Sequence, residues 1–331
     1  MPGEQARHFY LQFRFDTIGS VEKSMAAFRK AHSIVARAFA TAFLLVIIPV
    51  SIHGQQQDTD AVRRYPAFGV VLGVDPAHNT FTASIREIPG FMDAMAMPFH
   101  VRAAQELNNL RTGEVIDFTL AVSKEESWAE DIRPHVFQNG DAESQEASRL
   151  RLLQSLNASA APVRVLEPGD MVPDFSLVDQ TGAAIHLSEF RGKIVALTFM
   201  YTRCPLPDYC FRLNNNFGAL QRRFDSQLGK NLIFLSVSFD PIHDQPPVLA
   251  AYAKTWNADP RSWHFLTGPL PQVEQVCHEF NLNFWQDMGM ITHTLHTVVI
   301  DRQGRVVANL EGNQFSAKQL GDLIQAALDQ P

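Results

Sequence analysis

From Lys193 to Thr202 the chain reads KIVALTFMYT, a nearly unbroken apolar run of the kind buried on both faces of a sheet. NLIFLSVSFD, residues 231–240, is a second such run. Between them Phe211, Phe217, Leu220 and Phe224 fall at helical spacing. PPVLAAYAKTW and LPQVEQVCHEFNL then read as helices, and HTVVIDRQGRVVANL as a hairpin turning at Gln303 and Gly304. The pattern predicts an α/β sandwich over residues 165–331.

Upstream the period changes. FGVVLGVD, TFTASIREI, MAMPFHV and EVIDFTLAV are short β-rich runs separated by DPAHN, PG and TG turns. They predict a small all-β, OB-like barrel over residues 65–122. Residues 123–164 are polar and charged and read as a linker, with one helical stretch around Ala147–Leu156.

The first 54 residues form an N-terminal extension. Its uncharged stretch 38–52, AFATAFLLVIIPVSI, follows Arg29, Lys30 and Arg37. That is a signal-peptide core, shorter than the ~20 residues that span a bilayer comfortably. An uncleaved membrane anchor is the alternative, and Met25 competes with Met1 as the start because acidic residues precede the segment. Export places the protein in a periplasm or on the outer face of the cytoplasmic membrane. The chain is 46% hydrophobic and carries a net charge of −7, which argues for packed cores and against a nucleic-acid partner.

Three cysteines are too few for a disulfide scaffold. Two of them, Cys204 and Cys210, flank five residues in YTRCPLPDYC, just past a predicted strand's carboxyl end. That sheet edge favours ligands, and a helix N-terminus lowers a thiol's pKa. Residue type and spacing leave a disulfide staple, a redox couple and a pair of metal-binding thiolates open. Pro205 and Pro207 interrupt helix, so the gap need not splay the sulfurs. Cys277, among helix-spaced apolar neighbours, reads as a small buried hydrophobe.

VPDFSLVDQTG, LSEFRGKIVALTFMYTRCPLPDYC, SVSFDP, DPRSWHFLTG and THTLHTVVIDRQGRVV, in that order, resemble the Sco/SenC proteins from about Met171 to the end. The resemblance implies a thioredoxin-like sandwich that binds one copper ion through two cysteines and a distant histidine and delivers copper to cytochrome c oxidase. By position these are Cys204, Cys210 and His293. The family gap between the cysteines is three residues, whereas here it is five. The chemistry agrees, because thiolates select Cu(I) and imidazole suits copper in either oxidation state. His296 competes with His293; three positions apart, the two are expected on opposite strand faces. Asp208 lies between the cysteines, and Asp240 of SFDP occupies a family position near the site.

Met92, Met95 and Met97 in IPGFMDAMAMPF make a second soft-donor cluster. With GVVLGVDPAHNTFT before it, this segment resembles the CusF-type periplasmic copper-binding barrel, which implies a Cu(I) site on an M-x-M pair. The family's tryptophan and histidine are absent: Met92 takes the tryptophan's place, and the preceding strand reads TASIREI. Core filling is the competing role for the methionines, and Phe91 or Phe99 is the expected substitute shield for the metal.

These readings converge on an exported copper chaperone. Its expected partner is the copper-bearing subunit of cytochrome c oxidase or another periplasmic copper protein, and its barrel is an accessory Cu(I) domain. The alternative is an enzyme, a thiol–disulfide oxidoreductase or thiol peroxidase using Cys204 and Cys210.

Overall fold

A computed structural model describes residues 62–136, 164–287 and 290–330, with no account of the side chains of residues 207, 208, 287 and 290. The segment 38–52, both possible starts, the stretch 147–156 and the Asp208 side chain lie outside what is described. No helix among the described residues is long and apolar enough to cross a membrane.

Five strands form the first layer: β1 (Arg63–Asp75), β2 (Thr80–Ile85), β3 (Ala96–His100), β4 (Val115–Val122) and β5 (Ser127–Pro134). They run antiparallel in the order β3-β2-β1-β4-β5, and a bridge between Val101 and Ala129 draws the two edge strands together. Alternation fills the interior with Phe81, Ile85, Phe99, Ile116 and Phe118, and Phe99 stands 5.0 Å edge-on to Phe118. The β1–β2 connection is set by Asp75, whose carboxylate accepts from the Ala77 and His78 amides, and by Asn79 at φ 51°.

The fifth strand lies inside the stretch read as linker. Its sequence, SWAEDIRP, buries Trp128 and Ala129 but turns Glu130, Asp131 and Arg133 outward. A charged edge strand is protected against stray pairing, and the same charges hide it from a hydrophobicity reading.

The second layer is a seven-stranded sheet of order β14-β13-β8-β9-β10-β6-β7. Its strands are β6 (Ser176–Asp179), β7 (Ala184–His186), β8 (Ile194–Met200), β9 (Leu232–Ser238), β10 (Trp263–Thr267), β13 (His296–Ile300) and β14 (Val306–Glu311). β8, β9 and β10 are parallel, and every residue of β8 and β9 is buried, as their apolar runs predict. Helices α1 (Arg212–Arg223), α2 (Pro246–Thr255), α3 (Leu270–Glu279) and α4 (Ala317–Leu328) complete the thioredoxin-like sandwich. α1 packs on α4, with Gly321 set close against Leu220 and Arg223. The expected hairpin is β13–β14, its turn carrying Gly304 at φ 81°. A separate two-stranded ribbon, β11 (Phe284–Asp287) and β12 (Met290–His293), projects from this layer.

The barrel is packed onto the sandwich. Val70 of β1 belongs to the sandwich's apolar core, and Leu72 and Val115 pack against it.

Candidate functional site

β8 ends at Met200, and the chain then leaves regular structure through Tyr201, Thr202 and Arg203 before reaching Cys204. A π-type turn, Pro207–Phe211, follows and carries Cys210 into the start of α1. Tyr209 within it is non-helical (φ −107°, ψ −111°), a local kink that absorbs the long spacing between the cysteines. Cys204 is half-buried and Cys210 is 1% exposed.

The ribbon β11–β12 supplies the third group. Antiparallel pairing sets His293 opposite Phe284, at the ribbon's base. One ring nitrogen of His293 and the sulfurs of Cys204 and Cys210 all lie within 4.8 Å of one another, and Nε2 is 3.9 Å from Cys210 Sγ. Nδ1 donates to the Thr294 carbonyl at 2.7 Å, which turns Nε2 toward the sulfurs. Tyr201 stands edge-on to the imidazole at 5.8 Å and Phe239 leans on it at 4.6 Å, so aromatic walls fix its orientation.

His296 does not share this site. A break at Thr294 and Leu295 puts the two histidines on separate strands rather than on opposite faces of one. His296 is 2% exposed, its Nδ1 is 3.0 Å from Asn309 Oδ1, and burial holds its pKa below the ordinary value.

The two thiols behave as one unit. The hydrogen bond with Cys210 drives the Cys204 pKa down against the opposing effect of burial, and His293 adds to the lowering. Cys210 is pushed up by the same bond and by its own burial. The two opposite shifts favour the thiolate on the more accessible Cys204 sulfur and the proton on the buried Cys210. Cys277, fully buried and pushed up by burial, lies apart from this pair.

Two residues before the first cysteine are tied down by the loop after β9. Arg203 donates from Nε (2.9 Å) and Nη2 (2.6 Å) to Asp240, so Asp240 anchors the cysteine loop. Asp244 accepts from Thr202. Asp240, His243 and Asp244 also lie within 4.8 Å of one another, but Asp240 of that group is already paired with the Arg203 guanidinium. The sequence reading missed Thr202, Asp244, Tyr201 and Phe239; the acidic pair four residues apart after the second apolar strand was the available signal.

On the barrel, Met92 and Met97 are half-buried against the core, while Met95 is 40% exposed. The Met92 carbonyl accepts from Ile88 N and the Met95 carbonyl from Ile85 N, which draws the three methionines into one short loop and strand start. Phe99 is 2% exposed inside the barrel and therefore unavailable as a shield. Phe91 is 40% exposed and stacks on Tyr65 at 4.2 Å beside the methionine loop.

The SCO1/SenC family model matches residues 164–329, half of the chain. The model of the copper-binding periplasmic protein CusF matches residues 64–134, reaching the end of β5. An SCO2-like protein of Rickettsia typhi is 28% identical over 159 residues, 46% of this chain and 74% of the relative. The Schizosaccharomyces pombe protein sco1 is 24% identical over 150 residues, 43% of this chain and 55% of its own. Among solved structures, copper-bound yeast Sco1 is 25% identical, covers 51% of this chain and 91% of its own, and superposes with a TM-score of 0.42.

Proposed function

With this chain a member of the SCO1/SenC family, we propose that it is an exported copper chaperone that delivers copper for assembly of cytochrome c oxidase. The observation that carries the reading is the convergence of Cys204, Cys210 and His293 Nε2 within 4.8 Å. Two thiolates and one imidazole form a soft donor set that suits Cu(I) as three-coordinate cargo, and the open fourth position accommodates Cu(II). An open position also lets a receiving protein's ligand enter before the ion leaves. The partner that fits is the copper-bearing subunit of the oxidase or another periplasmic copper protein, with residues 38–52 directing export or anchoring the chain.

The barrel's Met92, Met95 and Met97 are a second Cu(I) donor set, neutral and weaker than the thiolates. Its match to a copper-binding periplasmic family and its packing on the sandwich support a loading role. The Tyr65–Phe91 stack replaces the missing tryptophan as the aromatic face beside the methionines.

The test is copper stoichiometry and X-ray absorption on the full chain and on variants. His293→Ala should remove the nitrogen scatterer and tight binding at the main site. Retention of full affinity and an unchanged nitrogen shell would overturn the assignment.

A second reading is favoured by one observation, the proximity of half-buried Cys204 to buried Cys210 within 4.8 Å, a contact that lowers the pKa of the first and raises that of the second. This is the arrangement of an attacking and a resolving thiol. Cys204 would attack a partner disulfide and release one partner thiolate; Cys210 would then displace the second, leaving Cys204–Cys210 oxidised and the partner reduced. His293→Ala separates the readings, because reductase activity should largely survive it while copper binding should not.

A further inference from the structure

Asp244 is fully buried and, among the described residues, forms no salt bridge with a lysine or arginine. Its Oδ2 accepts from the Thr202 amide at 2.9 Å and from Ser238 Oγ at 2.6 Å. Its Oδ1 accepts from Thr202 Oγ1 at 2.5 Å and lies 3.0 Å from His243 Nδ1. A buried carboxylate is costly unless its lone pairs are met, and here four donors meet them. Two of the four belong to one residue, Thr202, which stands two positions before Cys204.

Besides the Arg203–Asp240 pair and the packing of Tyr201 and Cys204 on the core, Asp244 is what holds the backbone of this segment. Between β8 and the π-type turn the backbone is irregular, and the Cys204 amide makes a 3.3 Å turn bond to the Tyr201 carbonyl. On the other side of the pair, Cys210 is fixed by its burial in the core. The distance between the sulfurs therefore depends on what anchors the Cys204 side. Arg203 reaches Asp240 through a flexible side chain that is 42% exposed, whereas Asp244 holds the backbone of Thr202 itself.

We propose that Asp244 is a positioning residue that sets the Cys204 sulfur against the Cys210 sulfur by clamping Thr202 to the loop after β9. It touches neither sulfur and acts through the chain. The proposal rests on the reading of Cys204 and Cys210 as the working pair, but not on which ion or partner that pair serves.

The test uses the full chain without metal and glutathione disulfide as the oxidant. Cys204 and Cys210 each give up a proton, one S–S bond forms between them, and the S–S bond of glutathione disulfide breaks to give two glutathione thiols. The equilibrium constant is the effective concentration of one cysteine thiol at the other, a quantity set by alignment. Asp244→Asn keeps the shape but removes half of the acceptors, and should lower that effective concentration about tenfold or more. Thr202→Val removes only the hydroxyl bond and should lower it by roughly threefold. Asp240→Asn, which leaves the Thr202 clamp in place, should change it less than Asp244→Asn does.

Circular dichroism and a cooperative melt establish that each variant is folded; if Asp244→Asn does not fold, the Thr202→Val result decides. Unchanged effective concentrations in the folded variants would overturn the proposal. Cu(I) affinity is measured in parallel on the same proteins. A parent chain that binds no copper would sink the chaperone reading and leave the thiol measurement intact, so the two failures are separable.

Discussion

Ser84 Oγ in the barrel donates a 2.6 Å hydrogen bond to the Asp322 carboxylate on α4. Gln319 Nε2, one turn earlier on that helix, donates to the Ser84 carbonyl at 3.0 Å. The same Asp322 accepts from Lys318 Nζ at 2.7 Å and from Arg223 Nη2 of α1 at 2.8 Å. One carboxylate therefore joins the barrel, the C-terminal helix and the cysteine-bearing helix. Ile85, next to Ser84, holds the Met95 carbonyl, so the junction continues directly into the methionine loop.

Acid should loosen this junction. Burial alone would raise the Asp322 pKa, but its bonds from Lys318, Ser84 and Arg223 outweigh that and hold it below the ordinary 3.8. A carboxylate with a lowered folded-state pKa adds stability that is present above the ordinary value and is lost as pH falls through the lowered one. Urea melts across pH 2–5 should therefore show an acid-side loss that Asp322→Asn reduces. At neutral pH that variant should cost about 1–3 kcal/mol, because it takes one acceptor oxygen and the charge away from the buried Ser84 hydroxyl and the Lys318 and Arg223 cations. Equal acid slopes in parent and variant would refute the account.

Gly113 tests the packing of barrel on sandwich. It sits at φ 84°, and a Cβ there would lie 2.0 Å from the Ala308 Cβ of β14. Gly113→Ala combines a strained backbone with a collision and should cost about 2–4 kcal/mol. Melting of the full chain measures the loss, and an unchanged transition would mean the two layers do not need this contact.

The two histidines should separate by phenotype. His293→Ala should lower copper affinity more than about a hundredfold with little change in melting. His296→Ala should do the reverse, costing about 1–3 kcal/mol as Asn309 loses its buried partner. Competition titration with a Cu(I) chelator, alongside thermal melts, distinguishes the pattern.

Loading through the barrel predicts a kinetic effect. Met95→Leu combined with Met97→Leu should slow the appearance of copper at Cys204 and Cys210 by roughly tenfold at limiting Cu(I), while the final occupancy stays the same. Stopped-flow copper transfer gives the rate. Equal rates would mean that copper reaches the thiols without the barrel.

Both layers of the fold are legible in the chain because one has long apolar runs and the other short β-rich runs between turn signals. The apolar runs 194–200 and 232–238 are buried throughout, and β4 of the barrel alternates along most of its length. β5 escaped that reading since its burial rests on Trp128 and Ala129 among charges. Cys204, Cys210 and His293 were nameable from residue type and family position, but residue type leaves a sulfur pair free to be staple, couple or ligand.

What the amino-acid order determined by itself is chemistry and local period: which groups can bind a soft ion, and which stretches become strand or helix. Tertiary structure supplied the reason that His293 rather than His296 faces the sulfurs, because a two-residue break sends one ring to the cluster and locks the other on Asn309. It also decided that the barrel is docked through Val70 and Ser84, and that Asp244 holds Thr202 across a separation of 42 positions. Such contacts depend on where strands end in space, and pairing between distant segments leaves no periodic trace along the chain.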